Sequence, residues 1–221
     1  MLDSARFRMA QVLVVCTGNI CRSPMAEGFL KELLHDRFQG AGGFDALADA
    51  EPIEVSSAGT SGWDGSPATP EAIEAAADRE ADIGSHRARR LAAKHVEGAD
   101  LVLGMTTEHS EAAVRLAPVA APRTFTLKEL VQLVDALGDP SPGTDPATTL
   151  RERVRQADAL RIDGFEGNRF DLDVVDPIGL SQDTYRAVAW ELDKLCTRLM
   201  DGLFGKAPAP SSLTSMWKDG E

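Results

Sequence analysis

The sequence predicts an α/β fold: a single three-layer domain with a central, mostly four-stranded parallel sheet flanked by helices. An unbroken apolar run at 11–16 is typical of a parallel strand covered on both faces. Strand and helix patterns then alternate along the chain, and parallel neighbours need such crossover connections. The 221 residues suffice for one domain with an addition and for a core without disulfides.

The first predicted unit is a strand, a turn and a helix within thirty residues. The strand at 11–16 ends at a Gly-Asn turn signal. A helix over about 24–38 follows, because Pro24 suits a first turn and apolar residues recur at helical spacing. A second strand is predicted at 53–57, and a proline opens the next helix, over about 70–78.

Two further strand and helix pairs complete the predicted sheet. The buried-looking segment 100–105 predicts a third strand, and 107–116 predicts the helix after it. A weaker fourth strand is predicted at 123–125, followed by a helix over 127–137. Ligands of such sheets collect at the carboxyl ends of the strands, so residues that follow a strand are the first candidates for a site.

The second part of the chain has a different pattern. Residues 138–149 contain three prolines and predict a loop or linker. A short helix with one apolar face is predicted over 150–160, and a long amphipathic helix over 184–204. Residues 205–221 are predicted to form a disordered tail.

Charge limits the classes of partner. The net charge of −12 argues against nucleic-acid and anionic membrane surfaces. The charge is distributed unevenly: the net charge is +1 over residues 1–40 and −9 over residues 41–85. The amino-terminal segment can therefore still bind an anion locally. Three cysteines fit a reducing compartment, and neither a signal peptide nor a membrane-spanning run is evident. We therefore expect a cytoplasmic protein.

Cys16 and Arg22 lie where the first strand gives way to the first helix. A loop there can surround a tetrahedral dianion with backbone N–H groups, and Arg22 can grip two of its oxygens. The same field makes Cys16 a nucleophilic thiolate, to which Ser23 can donate a hydrogen bond. Taken alone, Cys16 is equally well explained as a small buried residue and Arg22 as a surface residue. Their position between strand and helix favours the functional interpretation.

Asp176-Pro177 is the second candidate element. Phosphoryl transfer to a thiolate needs an acid for the leaving oxygen and then a base for water, and one carboxyl group can serve both steps. An isolated Asp-Pro pair more often starts a turn. The pair therefore indicates a catalytic acid only when it is considered together with the cysteine loop.

The segment 15–27 closely resembles the signature of low-molecular-weight protein tyrosine phosphatases. The resemblance covers about residues 10–137 and 174–204, with an insertion at about 138–173 in a domain of residues 1–204. Further stretches similar to the family occur in the same order: 57–60 with Trp63, 85–89, 99–105, and Asp176-Pro177 with Tyr185.

The resemblance implies a phosphatase that hydrolyses phosphotyrosine or other aryl or small phosphate monoesters through a phosphocysteine intermediate. In it Cys16 is the nucleophile, Arg22 binds phosphate, and Asp176 is the general acid and then the base. The implied partners are a phosphotyrosine protein or a small phosphorylated substrate, with phosphate as product or inhibitor, and neither nucleic acid nor membrane. No cofactor is implied, and the four scattered histidines show no metal-ligand spacing.

The resemblance also assigns residues around the substrate and behind the loop. Asn19, Ser57 and His86 are implied to support the loop, and asparagine tolerates left-handed backbone. An aliphatic Ile178 stands where many members have an aromatic residue. The residues implied to contact substrate are Thr17, Gly18, Asn19, Ile20, Cys21, Ser23 and Trp63.

Several alternatives stay open at the level of sequence. Cys21 is either a redox partner that forms a reversible disulfide with Cys16, as in the family, or a plain loop residue; Cys196 is expected in the core. The insertion is a lid, a partner surface or neutral. The rival functions are an arsenate reductase that uses an external thiol, and a non-catalytic phosphate-binding domain, which would not need Asp176.

Overall fold

The apolar run predicted as the first strand forms β1 (Ala10–Cys16) at the centre of the sheet. The structure is a computed structural model that describes residues 9–38, 53–61, 63–140, 145–168 and 170–206. Within these residues four parallel strands form one sheet, in the order β2-β1-β3-β4. The other strands are β2 (Ile53–Gly59), β3 (Leu101–Gly104) and β4 (Thr124–Thr126).

Helices connect the strands and follow the last one. In chain order they are α1 (Arg22–Phe38), α2 (Pro70–Ala77), α3 (Ala93–Gly98), α4 (Thr107–Leu116), α5 (Leu127–Leu137), α6 (Pro146–Ile162) and α7 (Gln182–Phe204). A short 3-10 helix (Pro118–Arg123) precedes β4.

Side chains of β1 alternate between two apolar clusters, one on each face of the sheet. Val12 and Val14 pack in the larger cluster, together with residues of α1, α2, α5, α6 and α7. Leu13 and Val15 pack in the smaller cluster, with residues of α3, α4 and the 3-10 helix. The predicted three-layer α/β architecture is thus confirmed, and the carboxyl ends of the strands meet at one edge.

The element boundaries differ from the predicted ones mainly where caps override the apolar pattern. The fourth strand lies one residue later than predicted, because Thr126 both ends β4 and caps α5 through Glu129. Similarly, Ser181 caps α7, which begins at Gln182 rather than at 184. Neither α3 nor the 3-10 helix was predicted, since six residues show little periodicity.

The predicted loop at 138–149 and the short helix after it are wrong in their extent. Asp145 caps α6 by accepting hydrogen bonds from the N–H groups of Ala147 and Thr148, and Pro146 occupies the first turn. The helix therefore has 17 residues. Proline is typical of loops, but its fixed φ also suits a helix start, as Pro146 shows.

Other predictions fall partly or wholly on undescribed residues. The predicted loop before β2 and the predicted tail from 207 onward lie outside the described residues. Among the helices of the described ranges, none combines the length and apolar character needed to cross a bilayer.

Arg153 joins α6 to the carboxyl-terminal ends of α5 and α7. Arg153 is 4% exposed, and its Nε donates to the carbonyl oxygen of Gly202 (3.0 Å). Its Nη2 donates to the carbonyls of Gly138 (2.6 Å) and Val134 (3.4 Å). Carbonyls in a last helical turn lack partners within their own helix, so one buried side chain satisfies two helix ends.

Replacing Arg153 tests whether the contacts of α6 contribute to the stability of the domain. We expect Arg153→Met to lower the free energy of unfolding by about 3 kcal/mol, because buried carbonyls lose charged donors. Urea denaturation measures the effect. Arg155→Met is the matched control, since Arg155 is exposed on the same helix and pairs with Glu152; it should change stability little. Equal effects of the two substitutions would contradict the proposed role of Arg153.

Candidate active site

The segment from Cys16 to Arg22 connects the carboxyl end of β1 to the start of α1. It passes close to the end of β2, where Gly59 permits the approach: a Cβ atom there would lie 2.7 Å from the carbonyl oxygen of Thr17. The next two N–H groups, of Thr60 and Ser61, donate to the carbonyls of Cys16 and Thr17, both at 2.9 Å. The loop backbone is thereby fixed against the neighbouring strand.

Two hydrogen-bond donors converge on the Cys16 sulfur. The Ser23 hydroxyl oxygen lies 2.9 Å from Sγ, and the backbone N–H of Asn19 donates to it at 3.2 Å. Ser23 also accepts a hydrogen bond from the Asn19 side-chain amide at 2.9 Å, which leaves its own proton free for the sulfur. This arrangement stabilises negative charge on the sulfur.

Asn19 holds the loop in its turn. Its φ of 57° is left-handed, and the residue is fully buried. The amide nitrogen donates to Ser57 Oγ (2.7 Å) as well as to Ser23, and Oδ1 accepts from the N–H of Arg89 (2.9 Å). Ser57 in turn donates to Glu27 Oε2 at 2.5 Å. Every hydrogen-bonding atom of the Asn19 side chain is therefore used.

His86 completes the support from the far side of the loop. Its Nε2 lies 2.8 Å from the carbonyl oxygen of Asn19, so this nitrogen carries the proton. Its Nδ1 lies 3.9 Å from the Glu27 carboxylate. The structure thus brings the three predicted support residues to the loop, and it adds Glu27 and Arg89, to which the sequence analysis assigned no role.

Arg22 and Asp176 meet at the loop although 154 positions separate them. The buried guanidinium of Arg22 donates to the carbonyl of Val174 (3.1 Å) and to Thr17 Oγ1 (3.2 Å), and it forms an ion pair with the Asp176 carboxylate. The Asp176 side chain is 38% exposed. Its carboxylate is therefore open to solvent while touching the predicted phosphate-binding arginine.

The segment before Asp176 is fixed to the carboxyl end of β3. The N–H of Val174 donates to the carbonyl of Met105 at 2.8 Å. Asp173 accepts from the backbone N–H (2.7 Å) and the hydroxyl (3.1 Å) of Thr107, at the start of α4. These bonds place Asp176 at the same sheet edge as the cysteine loop.

Apolar side chains flank the loop. A Cβ atom on Gly18 would lie 3.2 Å from Cδ1 of Trp63, so the indole lies against the loop, and Trp63 is 54% exposed. Beyond Asp176, Ile178 and Leu180 are also exposed. The described surface therefore has one aromatic side chain against the loop and two exposed aliphatic side chains shortly after Asp176. Ile20 is buried, and its carbonyl accepts from Thr69.

All three cysteines are free thiols in the structure. Cys21 Sγ lies 3.5 Å from the Tyr185 hydroxyl and 3.7 Å from that of Thr69, and burial raises the pKa of its thiol. Burial and the contact with Cys21 raise the pKa of Tyr185 to about 12. Cys196 lies in the core, where burial raises its pKa. The disulfide between Cys16 and Cys21 stays a prediction.

His109 is a site residue that the sequence analysis missed. The residue is 4% exposed; its Nε2 lies 2.9 Å from Thr17 Oγ1 and its Nδ1 2.7 Å from Thr106 Oγ1. Burial, reinforced by the Arg22 charge, lowers its pKa to about 4. Its position near the start of α4 was visible in the sequence, but nothing there links it to a loop 92 positions away.

The described residues contain no cluster of three or more His, Cys, Asp or Glu side chains placed to hold a metal ion.

The buried neutral His109 should make stability depend on pH. In the unfolded chain a histidine binds a proton below about pH 6.5, whereas the folded protein resists protonation down to about pH 4. Folding stability should therefore fall as the pH falls through this window, by about 2 kcal/mol at pH 4.5. His109→Gln should remove that part of the loss in urea denaturation at pH 7.5 and 4.5. The exposed His35→Gln serves as the control, and an unchanged pH slope in His109→Gln would contradict the prediction.

Known proteins resemble this chain over most of its length. The sequence model of the family described as low molecular weight phosphotyrosine protein phosphatase matches residues 11–157. The protein-arginine-phosphatase of Geobacillus stearothermophilus is 30% identical over 193 residues, which are 87% of this chain and 95% of that protein. The solved low molecular weight protein tyrosine phosphatase of T. tengcongensis is 33% identical with a TM-score of 0.60, over 88% of this chain and 99% of that one.

A further solved structure bears on the chemistry. A mutant of the YwlE arginine phosphatase, with a phosphorylated active-site serine, is 29% identical with a TM-score of 0.60, over 87% of this chain and 95% of that one. These similarities fit a phosphatase better than an arsenate reductase or a non-catalytic phosphate-binding domain. The matched residues include the whole loop from Cys16 to Arg22 and all but the first residue of the four strands. The chain therefore belongs to the low molecular weight phosphotyrosine protein phosphatase family.

Proposed function

We propose that this protein is a cysteine-dependent phosphatase that hydrolyses phosphotyrosine or other aryl phosphate monoesters through a phosphocysteine intermediate. One observation carries the proposal: the Cys16 sulfur, held by two donors, shares a single loop with Arg22, whose guanidinium contacts Asp176. A nucleophile, an anion-binding group and a proton-transfer group are the parts that the reaction needs.

In the first step Cys16 attacks the phosphorus atom of the bound ester. The phosphate oxygens bind to the loop N–H groups and to Arg22, whose contact with Asp176 they replace. The S–P bond forms while the P–O bond to the leaving group breaks. Asp176, released from Arg22, takes up a proton from solvent and delivers it to the leaving oxygen, so the alcohol or phenol departs neutral.

In the second step water replaces the sulfur. The Asp176 carboxylate takes a proton from a water molecule, whose oxygen attacks phosphorus as the S–P bond breaks. Negative charge returns to the sulfur, where the Ser23 hydroxyl and the Asn19 N–H stabilise it. Inorganic phosphate is the product and should also bind as an inhibitor.

The residues behind the loop act through its shape. Asn19, Ser57 and His86 form one connected set of buried or partly buried hydrogen bonds. With the turn fixed in advance, the backbone donors need not reorganise when charge moves onto the phosphoryl group. We therefore assign these three residues to loop support rather than to proton transfer.

An aryl ester fits the surroundings of the loop best. Trp63 can cover one face of a phenol ring. Ile178 and Leu180 lie in the acid loop, the segment 171–180 that contains Asp176. Phosphoarginine is a second candidate, because relatives that align over nearly their whole length are named arginine phosphatases. A guanidinium leaving group needs several hydrogen-bond acceptors, however, and the side chains of Trp63, Ile178 and Leu180 offer none.

The wider setting follows from the same features. We propose that the substrates are phosphorylated proteins or small phosphate esters in the cytoplasm, an assignment supported by three free thiols.

We also propose that residues 1–204 form one domain, in which α6 packs into the main core through four residues: Ala147, Leu150, Val154 and Ala157. This contact argues against a freely moving lid for the predicted insertion.

Hydrolysis of an aryl phosphate tests the mechanism. The wild-type protein should be active and Cys16→Ser inactive, and Asp176→Ala should lower kcat roughly 100-fold or more. Cys196→Ala, which removes a core thiol, should keep normal turnover. Activity in Cys16→Ser would refute the covalent mechanism. Thiol-dependent arsenate reduction, without aryl phosphate hydrolysis, would favour the reductase alternative.

Peptides that differ in the phosphorylated residue test the substrate class. We expect kcat/KM for a phosphotyrosine peptide to exceed that for the matched phosphoarginine peptide. Trp63→Ala should raise KM for the phosphotyrosine peptide roughly fivefold, because an aromatic contact is lost. Trp190→Ala is the control, since Trp190 is similarly exposed but lies on α7. A preference for phosphoarginine, with Trp63→Ala indistinguishable from the control, would reverse the assignment.

A further inference from the structure

A chain of side-chain contacts connects Arg22 to the start of α4. Arg22 Nη2 donates to Thr17 Oγ1 at 3.2 Å, and Thr17 Oγ1 lies 2.9 Å from His109 Nε2. His109 Nδ1 lies 2.7 Å from Thr106 Oγ1, which caps α4. Both ring nitrogens of the buried imidazole are thus engaged, one toward the loop and one toward a helix cap.

We infer that His109 is a positioning residue, whose imidazole fixes the Thr17 hydroxyl and through it the Arg22 guanidinium that receives phosphate. The inference rests on the proposed function, because it gives Arg22 an anion to bind. Nothing in it requires His109 to touch the substrate. The role goes beyond the loop-support set, which lies around Asn19.

The Thr17 hydroxyl needs a second hydrogen-bond partner to fix its orientation. A guanidinium has donors only, so Thr17 Oγ1 must accept from Arg22. The hydroxyl then keeps one proton and one lone pair, and its rotation is free unless another group takes one of them. His109 Nε2 does so in either tautomer, by accepting the proton or by donating to the lone pair. The hydroxyl is then held at the angle that Arg22 requires.

Phosphate binding makes the contact between Thr17 and Arg22 more important. Among the described residues Arg22 has three partners: Thr17, the Val174 carbonyl and Asp176. The proposed mechanism replaces Asp176 with phosphate oxygens. Thr17 and Val174 then remain as the protein groups that aim the guanidinium, and a bidentate grip depends on its orientation.

The charges around His109 favour a neutral ring. Arg22 faces it from the loop, and Asp173 and Asp176 face it from the acid loop. Burial and the Arg22 charge outweigh the two carboxylates and keep the pKa of His109 low. A neutral ring adds no positive charge that would repel Arg22, so an uncharged substitute with the same reach should suffice.

Two neutral substitutions separate the two contacts of the ring. The amide of Gln reaches about as far as Nε2 and can keep Thr17, whereas the amide of Asn reaches only the Nδ1 position and can keep Thr106. We expect His109→Asn to weaken inorganic phosphate binding roughly tenfold, to raise KM and to lower kcat for an aryl phosphate, and His109→Gln to retain most of the wild-type values. His95→Asn is the matched control, since the Nδ1 atom of His95 accepts from Ala92 at the start of α3.

A double substitution tests whether the effect passes through Thr17. If it does, His109→Asn should cause little further loss in a Thr17→Val background, because the contact is already gone. A role confined to the stability of α4 predicts independent losses that add. Additive losses, or equal phosphate affinity in His109→Asn and the wild type, would overturn the inference.

Calorimetric titration with inorganic phosphate keeps this test separate from the proposed function. A wild type that binds phosphate but hydrolyses no ester would refute the proposed function, while the affinities of the variants still decide the role of His109. A wild type that hydrolyses esters, with unaltered binding and kinetics in His109→Asn, would refute the inference alone. A wild type that binds no phosphate would overturn both.

Discussion

The side-chain amide of Asn19 is the interaction on which the rest of the site depends. A left-handed residue lets the chain turn between β1 and α1, and its amide bonds Ser23 and Ser57 while accepting from Arg89. Because Ser23 receives this bond, its proton points to the sulfur. One buried amide therefore fixes both the path of the loop and the direction of the hydrogen bond at Cys16, and loss of any partner would leave a buried polar group unpaired.

The ion pair between Arg22 and Asp176 gives the buried guanidinium a counter-charge within the protein. An unpaired buried guanidinium would be costly, and the carboxylate offsets that cost until an anion arrives. When phosphate oxygens replace the carboxylate at Arg22, Asp176 becomes free for proton transfer. Proton transfer is therefore possible only when phosphate is bound. Because Asp176 is partly exposed, the pair is screened by solvent, so a dianion with several oxygens can displace it.

The sequence predicts the site residues that lie close together along the chain, but not those that only the fold brings to the site. Cys16, Ser23 and Arg22 lie on one short loop, where spacing and strand ends carry the information. His109 and Glu27 have their contacts set by sheet order and helix packing, which no pattern within one segment encodes. The error at α6 had another cause: a proline is compatible with both a loop and a helix start, and only the cap at residue 145 decides.

The acid loop is fixed on the side that precedes Asp176, which limits how Asp176 can move. Asp173 is bonded to Thr107, and Asp171 forms an ion pair with Lys128, which also binds Glu191 of α7. After Asp176, its own Oδ1 accepts from Ile178 at 3.2 Å. With the preceding backbone anchored, movement of the carboxylate between Arg22 and a leaving oxygen falls to side-chain rotation. Such a rotation is local and fast, so the proposed exchange at Arg22 requires no domain closure.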